Sequence, residues 1–335
     1  MDQFFSFYAD CIPVRGISRG IIYDLSRQKY RFIPKELFEI LDVTDKHSVQ
    51  YLNQLFPDVE LFFDLFVEEH FAFYCNKDEL ELFPKINKDF FMPSLINNSI
   101  IDINNYDDQK NNIKKFIKEV DILGCEAIQL RSYTNIDQKY LNDLIMLINE
   151  SNISYIELII KYNEDVNDKK FCDFYINNPK LRSIIIHSSP ENKFDYFNTD
   201  GQGDLIYITD ELQNNNHCGV IDSSIFNINV KMFTESLSYN SCLNKKISLD
   251  FDGLIKICPS MKTHFGSIRD VRLIDIVQSD DFNKWGKITK DQIEICKFCE
   301  FRYMCTDCRA FIQNEQNVYS KPAKCKYDPY TLTWN

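Results

Sequence analysis

The chemistry of this chain is concentrated near its end. The run Cys296-Lys-Phe-Cys299-Glu-Phe-Arg-Tyr-Met-Cys305-Thr-Asp-Cys308 holds two Cys-x-x-Cys pairs within thirteen residues. A Cys-x-x-Cys turn lets both sulfurs reach one metal at ~2.3 Å, a typical Zn–S distance. The ligating species is the thiolate, which needs a cation or a metal to hold it deprotonated. Lys297, Arg302, Arg309, Lys321 and Lys324 are nearby positive charges in the sequence. No histidine falls in the run, so coordination by sulfur alone is expected. One zinc held by Cys296, Cys299, Cys305 and Cys308 and an iron–sulfur cluster both fit, and spacing does not choose between them.

The chain has 335 residues, 44% of them hydrophobic, so it can bury a sizeable core without metal. Its net charge of −12 argues against a general nucleic-acid binder, because such a chain repels phosphate. No run of ~18 apolar residues occurs, so no membrane span is expected. Met1-Asp2-Gln3-Phe4-Phe5 lacks the basic start of a secretory signal. The reading is therefore cytoplasmic, a reducing compartment where thiols serve metals or catalysis rather than disulfides. Of the twelve cysteines, Cys11, Cys75, Cys125, Cys172 and Cys218 are scattered. The other seven lie between Cys242 and Cys325.

Those seven follow an order. Cys242 is followed after ten residues by Gly253, then after four by Cys258, then by the two Cys-x-x-Cys pairs, then by Cys325. This resembles the SPASM framework of peptide-modifying proteins. The local form Cys-x-x-Cys-Glu-x-Arg-x-x-Cys-x-Asp-Cys-Arg, together with Gly20-Ile21-Ile22-Tyr23-Asp24-Leu25, resembles the maturases that pair with ATP-grasp ligases, the grasp-with-SPASM systems. The gap between Cys305 and Cys308 is two residues where the family usually has three. The resemblance implies two [4Fe–4S] clusters. Cys296, Cys299, Cys305 and Cys325 would hold one. Cys242, Cys258 and Cys308 would hold the other, with Cys218, His264 or an open position as its fourth ligand; an ordinary buried cysteine is the equal alternative for Cys218. Zinc remains the alternative metal.

These residues need a scaffold. Residues 1–92 read as an α+β module. Strands are expected at Ile12–Gly16, Gly20–Asp24 and Lys29–Ile33, followed by helical stretches at Lys35–Leu41, Asp45–Leu55 and Val59–Phe71. That order suggests a winged-helix-like unit. Residues 93–213 alternate strands with helices, which predicts a parallel sheet, open or curled into a partial (β/α) barrel. Strands are expected at Ile100–Ile103, Ala127–Leu130, Tyr155–Tyr162, Leu181–His187 and Leu205–Thr209. Helices are expected at Asp108–Leu123, Asp137–Asn152 and Asp168–Asn178. Residues 214–335 read as loop-rich, with one helix at Leu273–Trp285. The fold class is thus α/β, with the winged-helix-like module in front and the cysteine-rich domain behind.

The middle segment resembles a radical SAM barrel without its hallmark. Asn104-Asn105-Tyr106-Asp107-Asp108 follows the first strand, and Cys-x-x-x-Cys-x-x-Cys occurs nowhere. SAM cleavage is therefore not expected. GxGxxG, P-loop and GxSxG motifs are also absent. Asp102 and Glu157, at strand ends, read as solvated or capping carboxylates rather than old substrate-site residues, His187 as a satisfied loop or core histidine rather than a functional one, and Cys125 as core. The N-terminal module resembles PqqD-like peptide-recognition domains, which capture a leader peptide along a sheet edge. Here that edge would be the strand around Tyr30–Ile33, beside the helix from Val59. The alternative is a plain packing domain. The expectation is an accessory protein of ribosomal peptide maturation, with a precursor peptide and an ATP-grasp ligase as partners. A metalloenzyme acting at the incomplete cluster and a zinc-stabilised binding protein are the competing readings.

Overall fold

The computed structural model describes residues 2–163, 174, 177–196 and 203–334. Five N-terminal strands come first: β1 (Gln3–Phe7), β2 (Cys11–Arg15), β3 (Gly20–Asp24), β4 (Lys29–Ile33) and, after the helices, β5 (Ala72–Asn76). β2, β3 and β4 form an antiparallel sheet in that order, and β1 pairs with β5. The β1–β5 pair was not anticipated as such, because its partners are separated by the helices. Those are α1 (Phe38–Leu41), α2 (Val49–Leu55) and α3 (Val59–Glu68). The Ser48 side chain caps α2 by accepting from Tyr51 N.

β3 is buried along its whole length. Side chains alternate across a strand, so its two faces serve two cores. Ile22 joins Phe5, Leu52, Phe63 and Phe66 among the helices. Ile21 and Tyr23 join Phe301, Met304 and Tyr327 from the far end of the chain. Gly20 is required between them, since a Cβ there would come within 2.1 Å of the Phe38 ring.

The N-terminal strands and the cysteine-rich tail therefore fold together. Met1–Phe91, Val220–Ser241 and Lys287–Asn335 make one compact unit, and Met92–Gly219 with Cys242–Gly286 make a second. The expected segment 214–335 is divided between the two.

The second unit is built on an eight-stranded, mostly parallel, open sheet. Its strands are β6 (Asn98–Ile103), β7 (Ala127–Ser132), β8 (Tyr155–Lys161), β9 (Leu181–His187), β10 (Lys193–Tyr196), β11 (Asp204–Tyr207), β12 (Lys246–Leu249) and β13 (Ile255–Lys256). Their order is β10-β11-β9-β8-β7-β6-β12-β13, with antiparallel pairing only at the two ends. Helices α4 (Tyr106–Ile122) and α5 (Gln138–Asn149) follow β6 and β7 and bury Ile113, Phe116, Leu144 and Ile148. Gly124, at φ +81°, ends α4 as expected. The expected helix Asp168–Asn178 falls largely outside the described residues.

Two expectations change. The stretch from Cys242 is not merely loop, because β12 pairs in parallel with β6 and extends the sheet. Leu273–Trp285 is two helices, Leu273–Val277 and Asp280–Gly286, with the Ser279 hydroxyl accepting from Phe282 N at the break. Among the described residues no helix is long and apolar enough to cross a membrane.

Candidate metal centre

In the first unit, Cys296, Cys299, Cys305 and Cys325 line one cavity. A short 3-10 turn over Cys296–Phe298 brings the first two together, closed by Cys299 N donating to Cys296 O at 2.9 Å. Cys325 arrives from the tail, where it bridges Ile221. Ile221, Phe226, Phe301, Tyr327 and Trp334 supply the apolar wall. Burial raises the thiol pKa of all three cysteines of the Cys-x-x-Cys-x₅-Cys run, Cys296 to about 11. Left alone, such thiols stay protonated; a bound metal centre draws the protons off.

The cation at this cavity is one the sequence did not suggest. Lys290 is 5% exposed, and its Nζ lies 3.2 Å from Cys305 Sγ. The five cations expected to serve are mostly occupied elsewhere. Arg302 lines the cavity, but it donates to the carbonyls of Cys299 and Arg15 and pairs with Asp291. Arg309 pairs with buried Asp307 at 2.7 Å and holds the carbonyls of Val318 and Ser320. Lys321 donates to Tyr327 O, and Lys297 and Lys324 sit over aromatic rings.

The polar residues between the cysteines act as braces. Glu300 is buried and accepts from Arg19 and from the Tyr327 hydroxyl, each at 2.6 Å. The Glu300 carbonyl accepts from the Tyr23 hydroxyl. Asp307 also accepts from Asn240 at 2.6 Å. Cys308 follows Asp307 and is half-buried in this same unit.

Cys218, Cys242 and Cys258 belong to the second unit. Lys246 stands among them. Its Nζ is 3.5 Å from Cys242 Sγ, and although burial opposes its charge, Cys242, Cys258 and Cys218 raise its pKa. Burial and Cys242 together push Cys258 up to about 11. Cys218 moves the other way. Burial would raise it, but His217 at 3.5 Å and Arg131 at 3.2 Å bring it below the usual thiol value. Gly253 makes the turn before Cys258 at φ +80°, where a Cβ would meet Asn112 at 2.8 Å. His264, the alternative ligand, is exposed and accepts from Gly266 N. Among the described residues, no three His, Cys, Asp or Glu side chains form a preformed site for a single metal ion.

Asp102 corrects the expectation of a solvated carboxylate. It is 1% exposed at the end of β6, and its Oδ1 accepts from Arg131 Nε at 2.7 Å. Arg131, on β7, is equally buried, and nothing in a lone arginine in the sequence signals burial. Glu157 is exposed, as expected. His187 is a satisfied core histidine, held by Ser188 Oγ and the Ser132 carbonyl. Cys125 is core. At the C-terminal ends of the central strands, a cavity of about 450 Å³ is lined by Asp102, Asn104, Tyr133, Asp250, Phe251 and Lys256, among others.

Comparison with known proteins places the cysteine framework in a class: residues 241–300 match the SPASM family, an iron–sulfur cluster-binding domain. The match takes in Cys242, Cys258, Cys296 and Cys299. Among solved structures, the chain is similar to SuiB of Streptococcus suis bound to S-adenosylmethionine, with 12% identity and a TM-score of 0.37 over 91% of this chain and 96% of that one. It is similar also to SuiB bound to its precursor peptide SuiA, with 12% identity and a TM-score of 0.39 over 95% and 98%. No curated protein matches the chain.

Proposed function

We propose that this chain is an iron–sulfur protein of ribosomal peptide maturation that binds a precursor peptide and works beside an ATP-grasp ligase. The observation that carries the reading is the single cavity lined by Cys296, Cys299, Cys305 and Cys325, the quartet that the SPASM pattern assigns to one cluster. Its donors are all sulfur, its wall is apolar, and Lys290 offers a buried positive charge to an anionic centre. Four sulfur donors around one apolar cavity match the donor set of a cluster, with zinc as the alternative metal. When bound, a cluster there supplies structure or one-electron transfer.

Cys242 and Cys258, with Cys218 as the added ligand, would hold a second cluster beside Lys246. The family pattern assigns Cys308 to the same cluster. Peptide recognition is ascribed to β4, an outer strand of the N-terminal sheet. The ATP-grasp partner and a cytoplasmic location rest on the family resemblance.

Anaerobically purified protein is expected to be brown and to carry about eight irons. Cys296→Ser and Cys325→Ser should each remove about four. Stoichiometric zinc without iron would overturn the cluster reading.

A further inference from the structure

β4 ends its sheet, so one row of its backbone N–H and C=O groups has no neighbouring strand among the described residues. An open groove of about 620 Å³ runs beside it, lined by Lys29, Tyr30, Arg31, Phe32 and the turn from Glu69 to Phe71. Because strand side chains alternate, a strand laid along this edge meets two different surfaces.

One surface is cationic. Lys29 Nζ donates to the Glu69 carbonyl at 3.2 Å and lies 4.7 Å from the Phe71 ring centroid. Arg31 forms an ion pair with the Glu69 carboxylate. Two cations face one anion, so the groove keeps an excess of positive charge within a chain that is acidic as a whole. The other surface is aromatic. Tyr30 and Phe32 are each 38% exposed. They are backed by Phe301, at 6.1 and 5.8 Å between ring centroids, and the Arg19 guanidinium stacks 3.4 Å from the Phe32 centroid. Their outer edges are thus held in place yet open to a partner.

Building on the peptide-binding reading above, we propose that the β4 edge takes an extended peptide segment in which acidic and apolar residues alternate. The acids would sit over Lys29 and Arg31, and the apolar side chains beside Tyr30 and Phe32. The same charges disfavour a second copy of this chain, since β4 laid on β4 would oppose Lys29 and Arg31 to their own kind. A basic peptide meets the same repulsion.

The test uses the full-length chain and short fluorescein-labelled synthetic peptides, read by anisotropy. One peptide alternates Glu with Leu, one alternates Lys with Leu, and one holds the Glu and Leu residues in two blocks. The alternating acidic peptide should bind about tenfold tighter than the basic one. The block peptide should also be weaker, and the acidic preference should shrink as salt rises. In K29Q/R31Q the charge preference should vanish while thermal unfolding is unchanged. Hydrogen exchange should slow at residues 29–33 when the acidic peptide binds. Equal binding of the acidic and basic peptides overturns the proposed pattern but leaves peptide recognition standing. Protection elsewhere than β4 overturns the site. Failure of every peptide to bind overturns the pattern and the recognition reading together.

Discussion

Removing either partner of the Asp102–Arg131 pair should destabilise the second unit unequally. Both side chains are almost wholly buried and meet at 2.7 Å. Asp102→Ala leaves a guanidinium that cannot shed its proton with Cys218 as its remaining side-chain contact, and breaking a buried pair in this way costs about 3–5 kcal/mol. Arg131→Met strands a carboxyl that can escape by taking up a proton. Burial already pushes Asp102 above its usual value, with Arg131 pulling the other way. Its cost should therefore be nearer 1–3 kcal/mol, roughly that of an unsatisfied buried polar group. The double variant Asp102→Leu/Arg131→Met should cost less than the sum of the two single changes, with a coupling of about 2 kcal/mol or more. The pH dependence follows from the carboxyl. In Arg131→Met its folded value lies above the unfolded one, so the native state holds the extra proton. Stability is then full below the unfolded value and is lost as pH rises through the folded one. The chain has two tryptophans, Trp285 in the second unit and Trp334 in the first. A Trp334→Phe background makes Trp285 fluorescence a reporter of the second unit alone during urea unfolding. Equal costs for the two single changes, or an Arg131→Met variant that gains stability with rising pH, would refute the reasoning.

Phe301→Ala should cost about 3–5 kcal/mol, because the ring is buried against Tyr30, Phe32, Phe226 and Tyr327; urea unfolding followed by Trp334 measures it. Gly20→Ala should cost at least about 1–3 kcal/mol, since the new methyl group must displace Phe38, and a neutral result in thermal unfolding would contradict the packing. Residues 1–92 expressed alone should lack a cooperative transition by circular dichroism, because Val14, Ile21 and Tyr23 lose the cover of Phe301, Met304 and Tyr327. Lys290→Met should lower the iron retained after gel filtration, by removing the buried charge beside Cys305.

Much of this protein is readable in one dimension because its signals are local. The periodicities of α4 and α5, the apolar runs of β6 and β9, and the glycine stop after α4 each depend on a few adjacent residues. The Cys-x-x-Cys pairs and the Gly253 turn are local too, so the cysteines could be named as candidate ligands without a fold. β3 shows where such reading stops. Gly20–Asp24 reads as a strand, but nothing near it says that both faces are buried or that Phe301 and Tyr327 cover one of them.

The sequence by itself determined the element types over most of the chain, the spacing of the cysteines and the absence of a Cys-x-x-x-Cys-x-x-Cys motif. Only the tertiary structure decided how those cysteines are shared out. It gathers Cys325 with Cys296, Cys299 and Cys305, keeps Cys218, Cys242 and Cys258 in the other unit, and joins β12 to the parallel sheet. It also turned Asp102 inward to Arg131 and set Lys290 beside Cys305. The physical reason is common to all of these. Burial and charge compensation are set by residues far apart in the chain, and a buried lysine or aspartate carries no local mark to distinguish it from a solvated one.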